Sequence, residues 1–484
     1  MKRVLLAAIL LTSVPSSAPC QDTVALARIR DEGMNRSQVV EVFNHLTNVI
    51  GPRLTGTPAF KQSVDWTASK LRAYGLANVH TETWPFGRGW TLEKQTIEMV
   101  EPRFMPLIGY AEAWTPSMTN EVVAKPVYIG ALSDAAAVKA KGGELRGAIV
   151  LATRPQEAFI TKDRLQPTEH NDPVPIGAPR ANVPAGPLAR NELQPIMKEL
   201  GAAVVLRPTE GTMGTMFVLG NRSSTAQNSV PSMILAAEHY NMVARAIEAG
   251  SPVKLRVNIQ SRYHTADTSG YNVIAEIPGT DPQIGDEVVL LGAHLDSWHS
   301  ATGATDNADA VAELMEAMRI LKAAGIKPRR TIRAALWGGE EEGLLGSRAY
   351  AQKHYAGDAN ARAREKFSVY LNNDPGTGPI YGWYSEGNLS AKILFDSWLA
   401  PFKDLGARRN IIEKIGSTDH LAFTALGLPG FNTLQHYVDY DTRMHHTNMD
   451  FYERVKPDDL KKAAVVLASF AYNAAMRAEV FPRQ

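Results

Sequence analysis

Residues 288–341, VVLLGAHLDSWHSATGATDNADAVAELMEAMRILKAAGIKPRRTIRAALWGGEE, constrain the fold more than any other stretch of the chain. The apolar run Val288–Leu291 leads into His294-Leu295-Asp296, so a buried strand delivers an imidazole and a carboxylate at its C-terminal end. A loop rich in Gly, Thr and Ser then presents Asp306-Asn307 at the mouth of a helix. Val311, Leu314, Met315, Met318 and Leu321 recur there at three- to four-residue spacing and form one apolar face. Pro328 ends the helix, a second apolar strand (Thr331–Trp337) follows, and Gly338-Gly339 hands over to Glu340-Glu341. This is a βαβ unit, whose parallel strands end on the same edge of the sheet. His294, Asp296, Asp306, Glu340 and Glu341 should gather along that rim.

A lone His after a strand is usually an ordinary loop residue, and Glu340–Glu342 alone would pass for a solvated helix start. Together they do not fit that reading, because apolar strands aim a His and several acids at one place. Clustered carboxylates raise one another's pKa unless a cation sits among them. A metal site is the economical reading.

The chain has 484 residues, long enough that two domains are expected. With 44% hydrophobic and 21% charged residues and a net charge of +1, it has neither the basic surface of a nucleic-acid binder nor that of a membrane-surface protein. Met1-Lys2-Arg3, the apolar run VLLAAILL and the small residues Ser13–Ala18 read as a signal peptide over residues 1–20. Its apolar core is too short for a transmembrane anchor. The one cysteine, Cys20, lies at the processing site, and Pro19 before it fits a lipid-anchored precursor poorly. The processed chain would carry no disulfide, which suits a bacterial periplasm or the exterior and leaves stability to the core and the metal.

Along the chain, residues 23–75 read as helices, interrupted by the turn-rich linker Gly51–Pro58, and Val79–Pro85 alternates like a strand. From about residue 111 short β-like runs appear at Pro126–Ile129, Ala148–Ala152, Ala203–Leu206 and Val230–Leu235. Thr153–Ala189, with its isolated His170, reads as a long surface loop. Strand signal returns at Val253–Gln260 and Tyr271–Ile277. Residues 111–252 are therefore expected to form a smaller β-rich inserted domain. It would interrupt a three-layer αβα domain, with a mixed, largely parallel sheet, built from residues 21–110 and 253–484. Further on, Phe367–Asn373 is a strand ending in Asp374, Leu389–Asp404 and Ser417–Leu426 are helical, with Ser417–Asp419 as the cap of the latter, and Gly430–Leu434 is a strand. Asp458–Arg477 is the closing helix.

Five metal ligands emerge: His294, Asp306, Glu341, Asp374 and His446. Two imidazoles with three carboxylates suit zinc rather than calcium, which takes oxygens only. They also suit two zincs that share one carboxylate, with Asp306 as the bridge. Asp296 is expected to hold the His294 ring by a hydrogen bond. Glu340 is left free to act as general base on the attacking water.

At this point the sequence resembles the two-zinc exopeptidases that include secreted bacterial aminopeptidases and carboxypeptidase Q. The resemblance rests on HLDS at 294–297, GATDNADA at 303–310, WGGEEEG at 337–343, NNDPG at 372–376, STDHLAF at 417–423 and HHTNMD at 445–450, and extends to NVIAEIPG at 272–279 and GPRLTGTP at 51–58. It implies that His294, Asp306 and Asp374 hold one zinc and that Asp306, Glu341 and His446 hold the other. It also implies Glu340 as general base, Asp296 as supporting acid, a cis Asp306–Asn307 bond and a protease-associated character for the insertion. Some relatives place a Tyr before the last ligand His as oxyanion donor. His445 stands there in this chain, which leaves zinc alone, His445, Tyr437 or Tyr440 as alternatives for polarising the carbonyl.

The expected function is an exported zinc exopeptidase acting on short peptides or dipeptides, with a peptide as its partner and a homodimer as an allowed assembly. Two rivals remain on the same fold. A one-zinc cyclase of N-terminal glutamine is disfavoured by the five ligands, and a non-catalytic binding protein by the intact Glu340.

Overall fold

The computed structural model describes residues 22–168, 180–181, 186–220, 229–374 and 376–483. The segment read as a signal peptide, with Cys20, and His170 lie outside the described residues. Among the described residues no helix is long and apolar enough to cross a membrane.

The central sheet has seven strands in the spatial order Ala77–Pro85, Ser269–Ile277, Thr331–Trp337, Val288–His294, Phe367–Asn372, Gly430–Leu434 and Gly382–Tyr384. The four strands from Thr331–Trp337 to Gly430–Leu434 run parallel, and antiparallel neighbours flank them on both sides. Every residue of Val288–His294 is buried. Val289, Leu291 and Ala293 face one core, and Val288 and Leu290 face the other. A strand covered on both faces must be apolar throughout, which is why it reads as an unbroken run. One covering layer holds the helices Asp309–Ala323 and Pro457–Met476, which pack on each other. The other holds Leu345–Tyr355 and the turn Leu421–Thr424, packed around Trp337, Tyr370 and Phe423. The fold is thus a three-layer αβα arrangement on a mixed sheet.

Gly292 shows how tightly these layers fit. A Cβ there would lie 2.2 Å from the Tyr370 hydroxyl and 2.7 Å from Nε1 of Trp337, and those two side chains hydrogen-bond to each other at 2.7 Å. Only glycine lets that pair cross the strand.

The segment 111–252 contains helices as well as strands. Val127–Tyr128, Ile149–Leu151, Val204–Pro208 and Ser232–Leu235 form a parallel set, closed by the antiparallel Gly109–Ala111. Arg190–Glu199 and Ala237–Glu248 are helical, so "β-rich" understates its helix content. A long antiparallel ribbon, Gly89–Glu101 against Lys254–His264, flanks this sheet. Its first strand lacks the clean two-residue alternation that marks a strand in sequence, because register shifts break it. The helix expected over Ser417–Leu426 is only one turn, Leu421–Thr424. Ser417 adopts φ +63°, and Thr418 Oγ accepts from its neighbour Asp419, so these residues form a turn and not a helix cap.

His299 joins the two regions. Its ring is buried, donates from Nε2 to the carbonyl of Ala111 at 2.7 Å, and meets Trp90 edge-on. Burial pushes this imidazole down to about 4. The unfolded chain therefore binds the proton first, so stability is fully present above about pH 6.5 and falls as the pH drops toward 4, by on the order of 3 kcal/mol. Urea unfolding at pH 7 and pH 4.5 should show a smaller acid loss in His299→Asn than in the parent chain.

Candidate metal centre

The parallel strands bring their C-terminal ends to one edge, and the acidic residues follow directly. His294 closes its strand opposite Trp337 of the next. Gly338 and Gly339 then turn the chain into Glu340-Glu341. On the other side Gly292 pairs with Asn372, so that register continued brings Asp374 level with His294. Asp306 arrives on the loop after Gly303, which has φ +57° where a Cβ would meet that of Ser297 at 2.3 Å. The Asp306–Asn307 peptide bond is cis.

The two oxygens of Asp306 face different imidazoles. Oδ1 lies 3.1 Å from Nε2 of His294, which is 3.8 Å from an oxygen of Asp374. Oδ2 lies 3.4 Å from Nε2 of His446, which is 3.0 Å from Oε2 of Glu341. All five residues read as ligands are thus brought together, in two groups that share Asp306. His445 also comes within reach of Asp306 and His446.

The donor set fits zinc. Nε2 of His294, Oδ2 of Asp306 and Oε1 of Glu341 are buried without a hydrogen-bond partner, although they converge. Burial first, and then Asp306, Asp296 and Asp374, push the Glu341 carboxyl well up. For Glu340 the causes are burial and then Asp374, Asp419 and Glu341, partly opposed by His294. Burial works against a charged His294, but its contacts with Asp296, Asp306 and Asp374 outweigh that and raise it. Acids held so close and so dry need a cation among them. Nitrogen with oxygen donors, three per group, is zinc chemistry.

Asp296 is placed differently from the expectation. The Nδ1 proton of His294 goes to the main-chain carbonyl of Asp296 at 3.1 Å, while the carboxylate is 3.7 Å away. That carboxylate instead accepts from the backbone N–H groups of Glu340 and Glu341, each at 3.3 Å. The residue still supports the site, with its carbonyl orienting the ring and leaving Nε2 bare, and its side chain fixing the acidic turn.

Two further supporting residues lacked an assigned role in the sequence reading. Asp450 accepts from the N–H and hydroxyl of Thr305 at 2.8 and 2.9 Å and from the N–H of Asp306 at 3.2 Å. Arg53, fully buried, donates to the carbonyls of Leu46, Gly51, Leu295, Thr302 and Gly303 at 2.8–3.2 Å. It ties both ends of the connection between His294 and Asp306 to the segment Leu46–Gly51. Its signal was an arginine set between Gly51-Pro52 and Gly56, which reads equally as a linker. Burial pulls its guanidinium down to about 10, partly opposed by Asp450, Asp296 and Asp306. Lysine cannot reproduce the planar fork, so Arg53→Lys leaves buried carbonyls unpaired. It should cost at least about 2 kcal/mol, read as a lower denaturant midpoint with unchanged slope.

Comparison with known proteins agrees with this geometry. Residues 272–471 match peptidase family M28. Carboxypeptidase Q of Bos taurus is 23% identical over 441 residues, 90% of this chain and 85% of that protein. Leupeptin-inactivating enzyme 1 of Streptomyces exfoliatus is 33% identical over 169 residues, 34% of this chain and 36% of that protein. The structure of the peptidase M28 precursor from Shewanella amazonensis aligns with TM-score 0.72 at 24% identity, covering 96% of this chain and 98% of that one. BSAP, a zinc aminopeptidase from Bacillus subtilis, aligns with TM-score 0.61 at 17% identity, covering 92% and 97%. At these identities the structural likeness speaks for the fold, and the family match covers the segment that carries all five candidate ligands. Over residues 272–471 the chain is thus similar to peptidase family M28.

Proposed function

We propose that this chain is an exported two-zinc exopeptidase that hydrolyses short peptides or dipeptides, with Glu340 as general base. A metallo-exopeptidase dependent on zinc is what the family match and the relatives support. The observation that carries the finer reading is Asp306, whose two oxygens face His294 with Asp374 on one side and His446 with Glu341 on the other. His294, Asp306 and Asp374 would hold one zinc, and Asp306, Glu341 and His446 the second. When bound, zinc polarises the scissile carbonyl and acidifies water.

The remaining steps belong to the chain's own residues. Glu340 stands beside the donors, half-buried, on a turn held by Asp296. It takes a proton from the attacking water and returns it to the leaving amine. Of the three side-chain alternatives for the oxyanion, Tyr440 is best placed. Its hydroxyl is buried without a hydrogen-bond partner, and Asp306 and Asp374 act on it electrostatically. The Tyr437 hydroxyl is engaged with that of Tyr384 at 2.7 Å. The ring of His445 is sandwiched between those of Tyr440 and His446, with centroids 5.1 and 3.8 Å away. Trp298, Met444 and Thr447 line the mouth beside Asp306, Glu341 and His446, where a peptide would enter. Residues 111–252 are read as a protease-associated-like insertion between the two parts of the catalytic domain. A one-zinc glutamine cyclase leaves part of this donor set without a task, and a pure binding protein leaves Glu340 without one.

Metal analysis of the purified chain should find close to two zincs, and a chelator should abolish peptide hydrolysis until zinc or cobalt is restored. Glu340→Gln should keep its metal and lose turnover by about 10²- to 10⁴-fold. Glu341→Gln and His446→Ala should lose metal as well. A Glu340→Gln enzyme near the parent rate would refute the base assignment. Tyr440→Phe should lower kcat more than it changes KM. Product analysis on peptides blocked at one end or the other identifies the terminus that is trimmed.

A further inference from the structure

We propose that the inserted segment builds half of the metal centre, by clamping the loop that carries Tyr440 and His446, and that Arg164 is the positioning residue of this clamp. The inference rests on the two-zinc reading above and goes beyond it to what orders the second zinc position.

The loop from Tyr437 to Asn448 is gripped at both ends by residues between 153 and 220. At its start, Arg164 forms a bidentate pair with Asp441, with Nη2 to Oδ1 at 2.6 Å and Nε to Oδ2 at 2.9 Å, and its own backbone N–H adds a third bond to Oδ2 at 2.8 Å. Both side chains are almost wholly buried, at 7% and 1% exposure. Charge-assisted forks of this kind fix orientation as well as distance. The same guanidinium lies over the rings of Tyr437 and Tyr440, 4.5 and 5.7 Å from their centroids. Asp163 accepts from the backbone N–H groups of Asp439 and Thr442 at 2.8 and 2.9 Å, and Gln166 accepts from that of Tyr437 at 3.0 Å.

At the loop's far end the grip is backbone to backbone. Val218 donates to the carbonyl of His446 at 3.0 Å, Asn448 donates to that of Met216 at 3.1 Å, and Phe217 bridges Thr447 in antiparallel fashion. The Asn448 side chain closes the pairing by accepting from Met216 N–H at 2.7 Å. His446 itself has φ +61°, a left-handed conformation uncommon for histidine, so its surroundings must hold it there. Its anchors here come from the insertion, whereas His294 and Asp374 are set at the edge of the sheet. One zinc position thus belongs to the sheet, and the other depends on an added part of the chain.

The test uses the full chain with Arg164→Ala and Arg164→Lys. It measures stepwise zinc binding by competition with a chromophoric chelator, together with amide hydrogen exchange. Arg164→Ala should weaken one of the two zinc equivalents by about 10- to 100-fold and leave the other unchanged. Exchange should quicken over residues 437–448 and not over Val288–His294. Arg164→Lys should fall between, because an ammonium cannot make the fork. Equal weakening of both equivalents, or parent-like binding and exchange, overturns the proposal. A parent chain that takes up a single equivalent overturns the two-zinc reading instead, and the exchange comparison then decides the clamp by itself. Should Arg164→Ala fail to fold, Asp163→Ala removes the acceptor for Asp439 and Thr442, spares the buried pair, and is judged by the same measurements.

Discussion

A single buried carboxylate, Asp306, has to face His294 with one oxygen and His446 with the other. Much of the architecture can be understood as meeting that demand. His294 and Asp374 stand at heights set by the register of the parallel strands, and Glu341 is placed by the turn after Trp337, whose backbone the Asp296 carboxylate holds. The loop that delivers Asp306 then has to stop at the right place. Asp450 holds its backbone from one side, and Arg53 holds the preceding Thr302 and Gly303 carbonyls from the other. Arg53 also places a cation behind a cluster of acids, in a position where water cannot screen them. A buried guanidinium is costly to desolvate, and it is tolerable here because its donors all find carbonyl oxygens.

What could be read from the sequence follows this physical division. The strand-to-ligand arrangement is local: an apolar run, a chemical residue at its end, and small residues at the turn. That is why His294, Glu341 and Asp374 could be named before any contact between them was known, while Asp306 and His446, which lie on loops, were carried by the motifs GATDNADA and HHTNMD. The layered fold followed for the same reason, since strands buried on both faces leave an unmistakable apolar signature. Supporting roles were less visible, because they depend on main-chain atoms that every residue possesses. Nothing in the letters His-Leu-Asp says that the ring is held by the carbonyl of Asp296 while its carboxylate serves the Glu340–Glu341 turn. Arg53 was likewise hidden, because its partners are main-chain carbonyls drawn from two stretches distant in sequence, Leu46–Gly51 and Leu295–Gly303.

Two other differences have backbone causes. In Gly89–Glu101 the pairing slips against Lys254–His264, which moves side chains between faces, and a pattern search that assumes strict alternation loses the strand. In Ser417–Leu426 the residues favour a helix start, but Ser417 turns left-handed and Asn372 donates to the Thr418 hydroxyl at 2.8 Å. Tertiary demands at the edge of the sheet override the local preference there.

Placing ligands on elements of such different character has a consequence for how the centre is ordered. His294 sits at the end of a central, fully buried strand, and Asp374 just beyond the adjacent one, so the sheet that makes the domain stable also sets their positions. Tyr440 and His446 sit on a loop whose shape depends on side chains and edge bonds from a distant part of the sequence. The loop has hydrogen bonds of its own, from His445 N–H to Tyr440 and from Thr447 N–H to Met444, and its two ends are tied to Asp163–Gln166 and Met216–Val218. Its order is set by the contact between two packed regions, which is weaker and more easily shifted than a core. Asp306 faces both groups, so disorder in the loop would be felt there. The sheet side, with Arg53 and Asp450 behind it, would remain in place.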